Sequence, residues 1–130
     1  MKTRSLPKTV CLTKPWQYRE IYSKGQRLRG ECFSLIWRYN GQDEARLGIS
    51  IHGVRPAVRR NRIKRIIREF FRLQRRLIVP PIDLVFTVRD GFAPDSPAAV
   101  AVAVRSVLAR QPAKAFGLME SAALSEAPQP

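Results

Sequence analysis

Histidine occurs once in this chain, at His52, and cysteine twice, at Cys11 and Cys32. No pair of them has C-x-x-C spacing, so no zinc site is expected. Two isolated cysteines in a basic chain read as thiols in a reducing compartment, and a cytoplasmic protein is the expectation. Apolar runs are short: the longest, Ala98 to Val104, is seven residues, far below a membrane span. The opening MKTRSLPK has no apolar stretch behind it and does not read as a secretory signal. Carboxylates are scarce, ten against 24 Lys plus Arg. Asp43, Glu44, Asp83, Asp90 and Asp95 are scattered along the chain. With a single histidine they suggest neither a metal–carboxylate cluster nor a His-based acid/base pair. There is no Walker loop and no G-x-G-x-x-G. The reading is therefore of a polypeptide without a catalytic constellation, binding no metal or cofactor itself.

Basic charge is abundant, with a formal net charge of +14 on 130 residues. Hydrophobic residues make up 45%, enough for one domain with one modest core. The excess is local. Residues 55 to 77 hold ten basic residues and one acid, Glu69, whereas residues 93 to 130 hold three of each. A folded domain with that much positive surface calls for a polyanion. Nucleic acid is the first candidate and an anionic membrane the second.

Along the chain, residues 1 to 11 read as a mobile basic lead-in and 12 to 110 as the domain. Pro15 opens a helix with Trp16, Tyr18, Ile21 and Tyr22 on its stripe, ended by Gly25. Residues 26 to 30 look extended. Glu31 to Tyr39 alternates as a strand, with Phe33, Leu35, Trp37 and Tyr39 on its apolar face and Ile36 on the other. Asn40-Gly41 is a hairpin signal, which makes Arg46 to His52 the return strand. Pro56 to Leu77 has helical spacing, and Pro80-Pro81 stops it. Ile82 to Val88 reads as a buried strand. Asp95 or Ser96 can cap a last helix, Ala98 to Arg110. Residues 111 to 130 read as a disordered tail.

The long helix carries the chemistry. Ile63, Ile66, Ile67, Phe70, Phe71, Leu73 and Leu77 fill one arc of about 160°. The opposite arc is almost continuously basic. Arginine's planar fork matches phosphate oxygens, and over residues 55 to 77 Arg outnumbers Lys nine to one. A solvated helix face usually interleaves Glu at i,i+4, and only Glu69 does so here. Tyr18 and Tyr22, four apart, share a helix face; they either pack in the core or form a platform for unpaired bases. His52, at a strand end, is either a plain polar terminus or a further contact.

The run RRNRIKRIIREFFR, residues 59 to 72, resembles the Arg-Asn-Arg signature helix of the bacterial ribonuclease P protein family. LTKPWQYREIYSKG (12 to 25), RLGISI (46 to 51) and IDLVFTV (82 to 88) resemble that family's flanking landmarks, in its order. The resemblance implies an α+β fold, an α/β sandwich ordered αβββαβα. Its four-stranded sheet would contain a left-handed βαβ crossover, against the usual hand. It implies an endoribonuclease holoenzyme that removes the 5′ leader of precursor tRNA, with catalysis by an RNA subunit and its bound Mg²⁺. The implied partners are that RNA subunit and precursor tRNA, not DNA and not a membrane. Arg59, Arg60, Asn61, Arg62, Lys64, Arg65 and Arg68 would contact the RNA subunit. Tyr18, Tyr22, Ile36, His52 and Arg55 would line a cleft for the leader. Ser50-Ile51-His52-Gly53 stands where the family usually has Ser-Lys-Lys or Ala-Lys-Lys, and Ile36 where a cleft tyrosine is common. A ribosomal or general RNA-binding protein is the alternative. A membrane-surface role fares worse, because Ile63, Ile67 and Phe70 are needed as core.

Overall fold

Local signals shape the first helix. In the computed structural model, which describes residues 10–75 and 81–110, α1 spans Pro15–Lys24. Proline sits in its first turn, where a missing N–H costs nothing. The Gln17 side-chain oxygen accepts the backbone N–H groups of Thr13 and Lys14, each at 2.9 Å. The Gly25 N–H closes the helix on the Ile21 carbonyl at 2.7 Å. Then follow β1 (Gln26–Gly30), β2 (Phe33–Tyr39), β3 (Arg46–His52), α2 (Ala57–Gln74), β4 (Ile82–Arg89) and α3 (Pro97–Arg110). The αβββαβα order is the one expected.

The strands form one mixed sheet in the order β1-β2-β4-β3. β2 is antiparallel to both β1 and β4, and β3 runs parallel to β4. The hairpin expected at Asn40-Gly41 is thus corrected: β4 lies between β2 and β3. Two-sided burial outweighs the turn signal. β4 is buried toward both faces and takes a central position, while β3, exposed at its far end, takes an edge. Asn40 instead ties β2 to the start of β4. Its N–H donates to the Pro81 carbonyl at 3.2 Å, and its side chain donates to Asp83 Oδ1 at 2.9 Å. Arg46 grips the same buried carboxylate with two hydrogen bonds of 2.7 Å.

One sheet face carries the main core. Phe33, Leu35 and Trp37 of β2 and Leu84, Phe86 and Val88 of β4 pack there against Ile63, Ile67, Phe70 and Phe71 of α2 and Val104 and Leu108 of α3. Tyr39 continues that face of β2 but lies half outside, edge-on to Trp37 with ring centroids 5.3 Å apart. Leu73, expected in the apolar arc, is 55% exposed at its border, and Leu77 lies outside the described residues. Ser96 rather than Asp95 caps α3, its Oγ accepting the Ala99 N–H at 3.1 Å.

The opposite face holds a smaller core of Leu12, Ile21, Ile36 and Val85 beneath α1. The lead-in is docked from Val10 onward, two residues before the expected start of the domain at residue 12. Val10 is 1% exposed, Cys11 pairs in parallel with Leu47, and the Leu12 N–H donates to the Leu47 carbonyl at 2.8 Å. Val10 and Leu12 are apolar, and the β3 edge otherwise presents bare backbone groups, so docking satisfies both. Residues 1–9 and 111–130 lie outside the described residues.

Candidate nucleic-acid interface

Helix α2 begins with positive charge stacked on positive charge. Its first turn contains no acid, yet Arg59, Arg60 and Arg62 stand near the positive end of the helix dipole. The arginines there are not equivalent. Arg60 turns back, and its guanidinium donates to the carbonyls of Val54 and Arg55 at 3.0 and 2.6 Å, fastening the β3–α2 loop. Arg59 and Arg62 reach the β4–α3 loop at the carbonyls of Phe92 (3.3 Å) and Asp95 (3.5 Å). Toward the other end, Arg72 pairs with Glu69, and Arg75 pairs with Glu44 at 3.0 Å. Asn61, Arg65 and Arg68 are exposed between them and Lys64 is half-buried. Among the described residues none of Lys64, Arg65 and Arg68 has an ion-pair partner.

The α1 face of the sheet supplies the second element. Paired positions across strands share a face, and in the row Arg27, Ile36, Val85 and Gly48 α1 covers Ile36, Val85 and Gly48. The next row, Arg29, Ser34, Thr87 and Ser50, crosses all four strands with polar residues only. Beyond it lie Arg89 and His52, paired and exposed. Sequence reasoning missed Arg29, Ser34, Thr87 and Arg89. The available signal was Thr87, the one hydroxyl within the apolar run LVFTV.

The residues expected in a cleft fare differently. Tyr18 packs its ring on Gly48, where an added Cβ would stand 2.8 Å from ring atoms. Its hydroxyl donates to the Leu12 carbonyl at 3.3 Å. Burial raises the Tyr18 phenol above the usual tyrosine value, partly opposed by a hydrogen bond from the Ile49 backbone. Tyr22, beside it, is exposed and is the open ring of the pair. Ile36 is 1% exposed beneath α1 and offers no surface, a correction to its expected cleft position. An apolar side chain here completes the packing of Ile21 and Val85. The His52 ring nitrogen Nε2 lies 2.8 Å from Ser50 Oγ. Arg55 is exposed on the loop leading to α2.

Around the β3 edge, the Tyr18 flank of α1 and the Lys64–Arg68 flank of α2 enclose a groove of about 200 Å³. Among the described residues, no group of three His, Cys, Asp or Glu side chains converges as a metal site.

An α+β domain with a cationic helix crest beside a polar, half-open sheet face defines a protein of the RNA-binding class. The family model for ribonuclease P matches residues 6–111. The ribonuclease P protein component of Desulfotalea psychrophila is 48% identical over 108 residues, covering 82% of this chain and 90% of that protein. That of Thioalkalivibrio sulfidiphilus is 40% identical over 90 residues, 68% of this chain and 74% of that protein. Among solved structures, the Thermotoga maritima RNase P protein superposes with a TM-score of 0.63 at 30% identity, covering 78% of this chain and 97% of that one. A Staphylococcus aureus RNase P protein mutant with defective mRNA degradation activity gives 0.67 at 28% identity, covering 78% and 87%. The chain belongs to the ribonuclease P protein component family. Its function is accordingly that of an RNase P protein component, an RNA-binding protein in tRNA processing.

Proposed function

We propose that the protein binds the catalytic RNA subunit through the crest of α2 and the 5′ leader of precursor tRNA across the open sheet face. Asn61, Arg62 and Arg65 point away from the core and carry the contact with the RNA subunit. The polar row Arg29–Ser34–Thr87–Ser50, with Tyr22 on one side and His52 and Arg89 on the other, receives the leader. Hydroxyls and arginines there meet sugar and phosphate, and the Tyr22 ring gives an unpaired base a stacking partner. The polypeptide contributes binding and orientation. Hydrolysis of the leader phosphodiester falls to the RNA subunit with its Mg²⁺. The observation that carries this reading is the set Lys64, Arg65 and Arg68 on α2, without ion-pair partners among the described residues, adjoining a sheet face with a polar residue on every strand.

Reconstitution of the holoenzyme tests it. Added protein is expected to lower the Mg²⁺ requirement and to favour leader-bearing over mature tRNA. Arg62→Ala with Arg65→Ala is expected to weaken assembly with the RNA subunit about tenfold or more, as for a few lost charge-assisted contacts. Tyr22→Ala is expected to lower affinity for leader-bearing tRNA five- to tenfold, roughly 1–1.4 kcal/mol of stacking. Equal loss of RNA-subunit affinity in both variants would contradict two separate surfaces.

A further inference from the structure

Lys64 and Arg68 belong to the same basic arc as Arg62 and Arg65, but the fold gives them a different outlook. Positions i and i+4 share a flank of a helix, with about 6 Å of rise between them. That flank of α2 turns to the β3 edge, whereas Arg59 and Arg62 turn to the β4–α3 loop. Leu12, Tyr18, Gly48, Ile49, Lys64 and Arg68 line one groove of about 200 Å³, and none of its lining residues is acidic. Two like charges at i,i+4 repel and weaken a helix, so the pair does not serve the helix's own stability.

The groove is built before any ligand arrives. The Leu12 N–H is bonded to the Leu47 carbonyl at 2.8 Å, and the Tyr18 hydroxyl to the Leu12 carbonyl at 3.3 Å. The absence of a side chain at Gly48 lets the Tyr18 ring lie flush on the strand. The groove also continues the polar sheet face. Gly48, Ser50 and His52 alternate onto one side of β3, so the path from His52 to the groove is about 13 Å of strand at 3.3 Å per residue.

From this continuity we infer that Lys64 and Arg68 grip phosphates of the precursor-tRNA leader, not of the RNA subunit. The leader track runs along β3 from His52 past Ser50 and Tyr18 to this cationic end. The assignment rests on the leader-cleft reading above and separates the α2 cations into two working sets. Arg62 and Arg65 serve assembly, and Lys64 and Arg68 serve substrate.

The test is the Lys64→Ala/Arg68→Ala holoenzyme beside Arg62→Ala/Arg65→Ala. Each is titrated with RNA subunit, leader-bearing precursor tRNA and mature tRNA over a range of KCl concentrations. The first variant is expected to bind RNA subunit and mature tRNA within about twofold of wild type. It should lose about tenfold in affinity for leader-bearing tRNA. Its leader-dependent log–log salt slope should shrink by about 1.4, two single-strand phosphates at about 0.7 each. Lys64→Arg/Arg68→Lys, which keeps both charges, should restore most of the loss. Weakened assembly with an unchanged leader preference overturns the inference while leaving the leader-cleft reading intact. If the wild-type holoenzyme shows no preference for leader-bearing tRNA, the underlying reading fails instead.

Discussion

Tyr18 shows how much one hydroxyl can settle. Its ring and its oxygen have separate partners: Gly48 below, and the Leu12 carbonyl beside. Burial disfavours the phenolate and raises the folded-state pKa above the ordinary tyrosine value of about 10. The sign follows from linkage. A raised folded pKa contributes stability fully present below the unfolded value and lost as pH rises through the folded one. The stability advantage of wild type over Tyr18→Phe is therefore expected to hold constant below about pH 10 and to shrink above it. Denaturant unfolding of both proteins across that range measures this. An advantage unchanged into strong alkali would mean the phenol is not buried as described. The spacing of Tyr18 and Tyr22 showed a shared helix face. It could not show that one ring would be half sunk on a glycine and the other left open.

At the scale of the element, α2 has an apolar side that anchors and a basic side that binds. Phe71 is fully buried between sheet and helices, whereas Leu73, two residues on, is 55% exposed. Phe71→Ala is expected to destabilise the fold by about 3–5 kcal/mol through lost burial and a residual cavity. Leu73→Ser should change stability by less than about 0.5–1 kcal/mol. Urea unfolding separates the two, and comparable losses would refute the observed placement of the helix. Among the described residues, the periodicity located the buried arc except for Leu73 at its border. A hydrophobic wheel treats all apolar positions alike, and only the packing of the facing elements decides where contact ends. The basic arc was likewise legible as a block. Its division among loop-fastening Arg60, outward Arg65 and groove-facing Lys64 and Arg68 depends on which neighbours lie on each flank.

For the whole molecule, a charge of +14 concentrated in the first 92 residues makes affinity for RNA strongly dependent on salt. If about five phosphates are neutralised, log Kd against log salt should have a slope of magnitude of order 3 to 4.5. Filter-binding titrations with the RNA subunit measure it. A slope magnitude near one would mean that α2 is a solvated face and not a phosphate-binding one.

Composition and pattern alone determined the polyanionic kind of partner, the order of seven elements and the helix bearing the charge. These properties are local or additive, so they survive in the sequence without coordinates. Tertiary structure decided the rest. It placed β4 between β2 and β3 against a sound hairpin signal, because a strand buried on both faces belongs at the centre of a sheet. It buried Ile36, which the family resemblance had put in a cleft, and docked Val10 to Leu12 on the open edge of β3. It also aligned Arg29, Ser34, Thr87 and Ser50 from four separate strands into one polar row. Strand register is a non-local choice, won by the summed burial of whole faces, and no residue along the chain encodes it by itself.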